Sequence, residues 1–337
     1  MRRNVIVIGA SAGGVEALRT VVAKLPADLP AVVLVVLHIP AYGGSVLPAI
    51  LGRAGSLPAR HPSIGEFLTP GTIFVAPPDH HLVVDGERAI LTRGPHENGH
   101  RPAIDVLFRS AARACGARVV GVVLSGVLDD GTAGLTAVAA RGGATVVQDP
   151  AEALYPGMPQ SAIAHVDVDH IATADAMGGL LADLCMTEIG HIETPVSPLM
   201  EIEADLAMMD NEAMHQDERP GQPSGFSCPD CNGVLWEIRD GELVRYRCRV
   251  GHAWSAESLF GEQALQLDSA LWMALRGLEE KAALARTMSE RARERGNPLT
   301  AERFRDQEAE AARAAALIRT MLEAHVGTHD DESEAGA

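Results

Sequence analysis

The sequence predicts an α/β protein with a doubly wound, mostly parallel sheet and helices on both faces, followed by a small Cys/His ribbon and an α-helical hairpin. Three observations lead to this fold class. Short runs of β-branched residues alternate with amphipathic segments through about residue 185, as in parallel strands joined by helices. Cysteine and histidine then occur in two close pairs, and leucines at helical spacing fill the last third of the chain.

The segment Val5–Leu18 organises the first domain. Val5–Ile8 has the composition of a buried strand, and three glycines around Ser11 indicate a tight turn into a helix. The pattern G-x-S-x-G is typical of the strand-to-helix elbow that exposes a nucleophilic serine. Two alternatives remain: a plain strand-to-helix turn, or a dinucleotide-binding turn in which Ser11 replaces the middle glycine.

Two further buried strands end in polar side chains. Ala31–Leu37 runs into His38, and Val119–Leu124 runs into a glycine-rich loop containing Asp129–Asp130. Because the carboxyl ends of parallel strands meet at one edge of a sheet, we expect Ser11, His38 and one of the two aspartates to lie together. Taken singly, the histidine could merely end a strand and the aspartates could cap a helix.

Together these groups predict a serine hydrolase site. A serine hydroxyl at its ordinary pKa is a poor nucleophile and needs a base within hydrogen-bond distance. His38 would take the proton of Ser11, and the carboxylate would fix the imidazole tautomer. Backbone N–H groups of the turn or of the 125–128 loop would bind the oxyanion.

The region between these strands is less regular. Thr72–Pro77 predicts a strand, His81–Val84 with the turn Asp85-Gly86 predicts a hairpin, and Arg101–Asp105 is expected to open a helix that ends by Cys115. Four histidines here lack the spacing of metal ligands, so we expect them to be surface or substrate-facing: His80, His81, His96 and His100.

A zinc site is predicted after a linker. Residues 189–225 are proline-rich and lack a strand pattern, with one short helix expected around 199–209. The pairs Cys228/Cys231 and Cys248/His252 are separated by sixteen residues, and such a donor set suits a structural, tetrahedral Zn²⁺. The alternative is a small redox or free-thiol module.

The ribbon and the C-terminal helices complete the predicted domain order. Strands around the turn Asp240-Gly241 indicate a hairpin, so residues 226–255 are expected to form a zinc-ribbon-like module. Residues 256–327 predict a helical hairpin broken at Gly296–Pro298, and residues 328–337 an acidic, disordered tail. The α/β domain itself is expected to occupy residues 1–188. The predicted helical faces are Leu267, Leu271, Leu275 and Leu278 on the first helix and Ala311, Ala315, Ile318 and Leu322 on the second.

Composition excludes several classes of protein. A net charge of −17 over 337 residues argues against nucleic-acid binding. The sequence contains no run of 18 apolar residues, so we expect no membrane-spanning segment. Five cysteines without an export signal indicate reduced thiols or metal ligands, and therefore a cytoplasmic protein.

Five motifs occur in order over about residues 4–185: Ile8–Gly14, Val36–Pro40, Arg101–Asp105, Ser125–Gly131 and Gly157–Pro159. Together they resemble the catalytic domain of the chemotaxis protein-glutamate methylesterases, the CheB family. The resemblance implies that Ser11 is the nucleophile, His38 the base and Asp130 the orienting acid. At the family's oxyanion and substrate positions, the resemblance places Ala12, Val127, Arg101 and Met158.

The resemblance also implies a reaction and its partners. The family hydrolyses glutamate methyl esters on methyl-accepting chemotaxis receptors with release of methanol, and many members deamidate receptor glutamines. No cofactor would be needed for catalysis, and the cognate methyltransferase or histidine kinase would be further partners.

Three departures from the family pattern keep alternatives open. Val127-Leu128 replaces the usual Met-Gly, Ala12 stands where threonine is common, and the sequence begins at the first catalytic strand, so we expect no receiver domain to control it by phosphorylation. The runner-up is a catalytically weak or inactive regulator that docks a receptor or kinase through its C-terminal module. A nucleotide-binding oxidoreductase would require Ser11 to tolerate a pyrophosphate.

Overall fold

The computed structural model describes residues 1–190, 194–209, 220–241 and 243–334, with side chains through residue 323. The chain forms two compact units, Met1–Leu259 and Phe260–Ala337. The strands are β1 (Val5–Ala10), β2 (Val32–Leu37), β3 (Ala59–Arg60), β4 (Glu66–Phe67), β5 (Ile73–Val75), β6 (His81–Asp85), β7 (Arg88–Thr92), β8 (Val119–Val123), β9 (Ala144–Gln148), β10 (His170–Ala172), β11 (Gln222–Ser227), β12 (Val234–Asp240), β13 (Leu243–Cys248) and β14 (Ala253–Ser255). The helices are α1 (Gly14–Ala23), α2 (Leu47–Ala54), α3 (Ile104–Cys115), α4 (Thr132–Ala140), α5 (Gly157–His165), α6 (Ala174–Met186), α7 (Pro198–Ala207), α8 (Ala256–Glu294) and α9 (Pro298–Glu334).

A seven-stranded parallel sheet forms the centre of the first unit, in the order β10-β9-β8-β1-β2-β5-β3. Its middle strands are fully buried runs of valine, isoleucine and leucine, because helices cover both faces. One face packs against α1, α2 and α6, and the other against α3, α4 and α5. The prediction of a doubly wound sheet is confirmed.

The strand order fixes the position of the site. The chain passes from β1 to β2 on one side of β1, and later returns to place β8 on its other side. A crevice opens at the carboxyl ends of strands where the order reverses in this way. The turns after β1, β2 and β8 all reach this edge.

The connecting segments contain the two helices that the sequence predicts. The helix α3 begins at Ile104, within the Arg101–Asp105 motif, and ends at Cys115. The short helix expected around 199–209 is α7, which packs on α3 and buries Met200, Glu203 and Leu206, a contact that the expectation of a linker does not include. Residues 191–193 and 210–219 of that linker lie outside the described residues.

The second sheet of interest is the antiparallel ribbon β11-β12-β13-β14. Strands β12 and β13 pair around the predicted turn, from Leu235 opposite Cys248 to Asp240 opposite Leu243. Its small core contains Leu235, Trp254 and Leu259. The ribbon belongs to the same compact unit as the parallel sheet, although the sequence predicts a separate module.

The second unit consists of α8 and α9, separated at Gly296 as predicted. Leu275, Ala315 and Leu322 form its buried core, whereas Leu267 is exposed and does not belong to the predicted apolar face. Helix α9 extends to Glu334, into the stretch for which composition predicts disorder, and residues 335–337 lie outside the described part. Among the described residues, no helix has the length and hydropathy needed to span a membrane.

Candidate active site

Ser11 lies in the turn between β1 and α1. Gly13 adopts a left-handed conformation (φ 70°), which lets the chain reverse direction before the helix. The Ser11 N–H donates to the Ser125 carbonyl at 2.9 Å, and the Gly14 N–H donates to the Ser11 carbonyl at 2.9 Å. The chain therefore turns sharply directly after Ser11, as the glycine pattern predicts.

His38 connects Ser11 to Asp130. Its Nδ1 lies 3.1 Å from Ser11 Oγ, and its Nε2 lies 2.7 Å from Asp130 Oδ2. Since the carboxylate can only accept, Nε2 carries the proton, and Nδ1 is left to accept from the serine hydroxyl. The structure thus joins the three predicted residues in one chain of hydrogen bonds.

Asp130 is held as a carboxylate by four donors. Besides His38 Nε2, it accepts from the N–H groups of Ile104 (2.8 Å) and Asp105 (3.2 Å) and from Asn98 Nδ2 (3.1 Å). Burial opposes ionisation, but the hydrogen bond from His38 and the amide at the start of α3 outweigh it and hold the pKa of Asp130 below its ordinary value. The residue stays charged at neutral pH.

Asp129 has a different environment from Asp130. Its Oδ1 accepts from the hydroxyls of Ser255 (2.7 Å) and Ser258 (3.0 Å), at the end of the ribbon and the start of α8. Burial raises the pKa of Asp129 to about 6 despite these two hydrogen bonds. The strand pattern alone leaves open which of the two aspartates contacts His38, the family resemblance implies Asp130, and in the structure it is Asp130 that lies 2.7 Å from His38 Nε2.

His100 stacks on His38, with ring centroids 3.6 Å apart and planes inclined by 16°. Burial, and then the neighbouring His38, lower the pKa of His100 to about 4, so the ring is neutral at pH 7. Its placement beside His38 is compatible with the expected substrate-facing role. His81 is buried instead: its Nε2 donates to the Pro95 carbonyl and its Nδ1 accepts from the Ala103 N–H.

A cavity of about 370 Å³ lies beside His38 and is also lined by Ile39, His96, His100 and Arg101. The Arg101 guanidinium donates to Asp79 Oδ1 from Nε at 2.8 Å and to the Gly94 carbonyl at 2.9 Å. Arg101 therefore forms part of the wall with most of its donors already used.

The loop after β8 lies against Ser11. A Cβ at Gly126 would be 2.9 Å from Ser11 Cβ and 2.0 Å from Met158 Sδ, so only glycine fits there. Met158 is fully buried and packs against this loop at Gly126. A residue that contacts substrate would line the cavity, and Met158 does not. Val127 is half-exposed at the rim, and Leu128 adopts a left-handed φ of 59° where glycine is usual.

Ala12 lies directly after Ser11. Among the described residues, neither the Ala12 N–H nor the Val127 N–H has a hydrogen-bond acceptor. Both amides are thus available to an incoming oxygen beside the serine.

A second cluster, of Cys228, Cys231, Cys248 and His252, lies in the ribbon, and all four donor atoms are within 4.8 Å of one another. The Sγ atoms of Cys231 and Cys248 are 3.6 Å apart, and His252 Nδ1 lies 3.5 Å from Cys248 Sγ. A tetrahedral zinc with Zn–S bonds of about 2.3 Å separates its sulfur ligands by about 3.8 Å. The predicted donors fit that geometry closely.

Sequence reasoning misses Asn98, Asp105 and the stack formed by His100. Asn98 donates to Asp130 and to Asp105 Oδ2 (3.3 Å), while burial and the nearby Asp130 raise the pKa of Asp105. Asn98 and His100 come just before the Arg101–Asp105 motif, and Asp105 is its last residue. Nearness to this motif is the signal that the sequence offers. Nothing in the local pattern indicates that the loop folds back onto a distant aspartate.

Comparison with known proteins places this arrangement in context. Residues 6–181 match the family model described as CheB methylesterase. Protein-glutamate methylesterase/protein-glutamine glutaminase 3 of Anaeromyxobacter dehalogenans is 43% identical over 183 residues, covering 54% of this chain and 54% of that protein. Protein-glutamate methylesterase/protein-glutamine glutaminase 2 of Methanosarcina mazei is 36% identical over 183 residues, covering 52% and 50%.

The crystal structure of the Thermotoga maritima CheB methylesterase catalytic domain is similar to this chain, with a TM-score of 0.52 and 29% identity. The match covers 55% of this chain and 100% of that one. The chain spans about half the length of the curated relatives it matches.

Proposed function

This chain belongs to the CheB methylesterase family, and on that premise we propose that it is a serine esterase that hydrolyses glutamate methyl esters on chemoreceptors. The observation that carries the proposal is the chain of hydrogen bonds from Ser11 Oγ through His38 to Asp130. Relatives named protein-glutamate methylesterase/protein-glutamine glutaminase support both the esterase and a glutamine deamidase activity.

The mechanism follows from the placement of protons. Ser11 Oγ attacks the ester carbonyl carbon while His38 Nδ1 takes the hydroxyl proton. The His38 Nε2–H remains donated to Asp130, whose charge stabilises the imidazolium. The tetrahedral intermediate then collapses, His38 returns the proton to the methoxide oxygen, and methanol leaves.

A water molecule completes the cycle. As the water attacks the acyl carbon of the ester on Ser11, His38 Nδ1 takes one of its protons. When the tetrahedral intermediate collapses, the bond from the acyl carbon to Ser11 Oγ breaks and His38 returns the proton to Oγ. The glutamate side chain leaves as a carboxylic acid, which ionises, and the Ser11 hydroxyl is regenerated. With a glutamine substrate the same acyl-enzyme forms and ammonia leaves in place of methanol. The Ala12 and Val127 amides are our candidates for the oxyanion hole, since a backbone donor is retained whatever the side chain.

We also propose that the Cys/His cluster binds a structural Zn²⁺. Three thiolates and His252 Nδ1 would fill a tetrahedral site, which leaves no position for a substrate. Zinc would stabilise the ribbon, and no step of ester hydrolysis requires it. We place the protein in the cytoplasm, where chemoreceptor helices, the methyltransferase and the histidine kinase would be its partners.

Methanol release from a methylated chemoreceptor fragment tests the esterase. We expect the 337-residue chain to release methanol and Ser11→Ala to lower the rate by at least about 10³-fold, because the nucleophile is lost. Ser224→Ala, which removes a hydroxyl from the ribbon, is the matched control and should keep the rate. Equal rates in wild type and Ser11→Ala would exclude Ser11, and no release at all would favour a regulatory role.

Elemental analysis of the purified protein tests the zinc proposal. We expect one zinc per chain, and about none in Cys231→Ser, because three remaining donors bind zinc far more weakly. Cys185→Ser is the control, since that thiol is buried in the parallel-sheet core away from the cluster. Full zinc content in Cys231→Ser would contradict the assignment of the ligands.

A further inference from the structure

The segment from Gly94 to Arg101, here called the 94–101 loop, lies between the ribbon and the Ser11–His38–Asp130 group. Its backbone pairs with β14: the Ala253 N–H donates to the His96 carbonyl at 3.1 Å, and the Asn98 N–H donates to the Ala253 carbonyl at 2.8 Å. The same loop carries His100, which stacks on His38. The position of this loop is thus determined in part by the ribbon.

Asn98 connects the two sides of the loop. Its Oδ1 accepts from the Ser255 N–H at 2.8 Å, and its Nδ2 donates to Asp130 Oδ1 at 3.1 Å. The side chain is 8% exposed and the backbone is left-handed (φ 52°), a conformation that asparagine tolerates well. One buried amide therefore joins the end of the ribbon to the carboxylate that orients His38.

Two further contacts attach the ribbon at the same place. Asp129, next to Asp130, accepts the hydroxyls of Ser255 and Ser258. Glu97 in the loop accepts from Arg247 of β13 at 2.9 Å, and both side chains are buried. Detaching the ribbon would remove these partners from Asp129 and Glu97, and the loop would lose contacts that hold it in place.

We infer that Asn98 is a positioning residue that couples the docked ribbon to Asp130, so that the ribbon completes the active site. This inference rests on the proposed esterase function. The ribbon side of the loop supplies the Ser255 N–H, and the catalytic side supplies the Asp130 carboxylate. Loss of either contact shifts the carboxylate, and misplacement by about 1 Å lowers turnover by about 10²-fold.

Two variants weaken the attachment at different points. Asn98→Asp keeps the acceptor for the Ser255 N–H and the tolerance of a left-handed backbone, but it replaces the donor to Asp130 and Asp105 with an oxygen. The double variant Ser255→Ala/Ser258→Ala removes the two hydroxyls that bind Asp129, keeps the Ser255 N–H that donates to Asn98, and leaves every group that contacts His38 in place. Ser224→Ala is again the matched control, because its hydroxyl bonds only within the ribbon.

Three readouts on the 337-residue proteins test the inference: kcat and KM for methanol release, the rate at which a fluorophosphonate labels Ser11, and amide hydrogen exchange in the 94–101 loop. We expect Asn98→Asp to lower kcat about 10²-fold with KM changed less than about threefold. The double variant should speed exchange in the loop and slow labelling by at least about tenfold. Ser224→Ala should change none of the three.

The outcomes distinguish this inference from the proposed function. Labelling that slows in both variants supports the coupling even if the receptor fragment releases no methanol, in which case only the substrate assignment fails. Unchanged labelling and unchanged loop exchange in the double variant would overturn the inference. Faster labelling there would also overturn it, since the ribbon would then restrain the site.

Discussion

At the scale of single residues, the adjacent carboxylates of Asp129 and Asp130 have opposite pKa shifts because their surroundings differ. The Asp130 carboxylate accepts hydrogen bonds from His38 and from amides at the start of α3, which hold its pKa low. Asp129 faces two serine hydroxyls in a buried position, and burial raises its pKa to about 6. The position of Asp130 directly before Gly131 matches the family pattern, but the surroundings that set the two pKa values come from other elements: His38 and α3 at Asp130, and Ser255 and Ser258 at Asp129.

Because the pKa of Asp129 is raised, we expect the free energy of unfolding to depend on pH, and we expect Asp129→Asn to remove this dependence. The folded state protonates Asp129 below about pH 6 and the unfolded state only near its ordinary value of 3.8, so the folded state binds the extra proton between them. Stability from this group is therefore greatest at low pH and falls as pH rises from 4 to 6. Asp129→Asn can still accept both hydroxyls without a buried charge.

We expect Asp129→Asn to be more stable than wild type above pH 6, by at most about 3 kcal/mol, and the difference to vanish toward pH 4. Urea denaturation followed by tryptophan fluorescence from pH 4 to 8 measures it. Asp28→Asn, at an exposed position, is the control and should track the wild type. A variant that is less stable than wild type at pH 8 would show that the charge of Asp129 is needed.

At the scale of elements, local patterns predict the parallel sheet but not its contacts with the C-terminal region. Runs such as Val32–Leu37 identify the strands because burial on both faces leaves no polar positions. The proline-rich stretch around α7 predicts a linker, yet Glu203 on that helix pairs with Arg245 at 2.7 Å. A long-range ion pair leaves no local periodicity, so the packed helix could be predicted only in outline.

The same reasoning applies to the site. The positions of Ser11, His38 and Asp130 follow from parallel strands ending at one edge, so the sequence predicts them. Asn98 is in a loop without regular structure, and its side-chain partners come from β14, from the loop after β8 and from α3. Such a bridge depends on the docked ribbon, which no pattern within residues 94–101 reveals.

At the scale of the whole molecule, buried charges tie the ribbon to the parallel sheet. Arg109 of α3 contacts Glu97 at 2.6 Å, and Arg247 of the ribbon contacts Glu97 and Glu203, each at 2.9 Å. Removing one partner from such a network leaves an uncompensated buried charge and costs about 3–5 kcal/mol. This explains why the ribbon and the α/β domain form one compact unit through Leu259.

We propose that His38 activates Ser11, and mapping the residue that a fluorophosphonate labels tests this activation. The 337-residue protein, its His38→Ala variant and heat-denatured wild type would be treated, digested and analysed by mass spectrometry. We predict that the label resides on Ser11 in the native protein, that His38→Ala slows labelling by at least about 10³-fold, and that the denatured protein is not labelled. A label on Ser125 instead, or equal labelling of Ser11 in His38→Ala, would show that His38 does not activate Ser11.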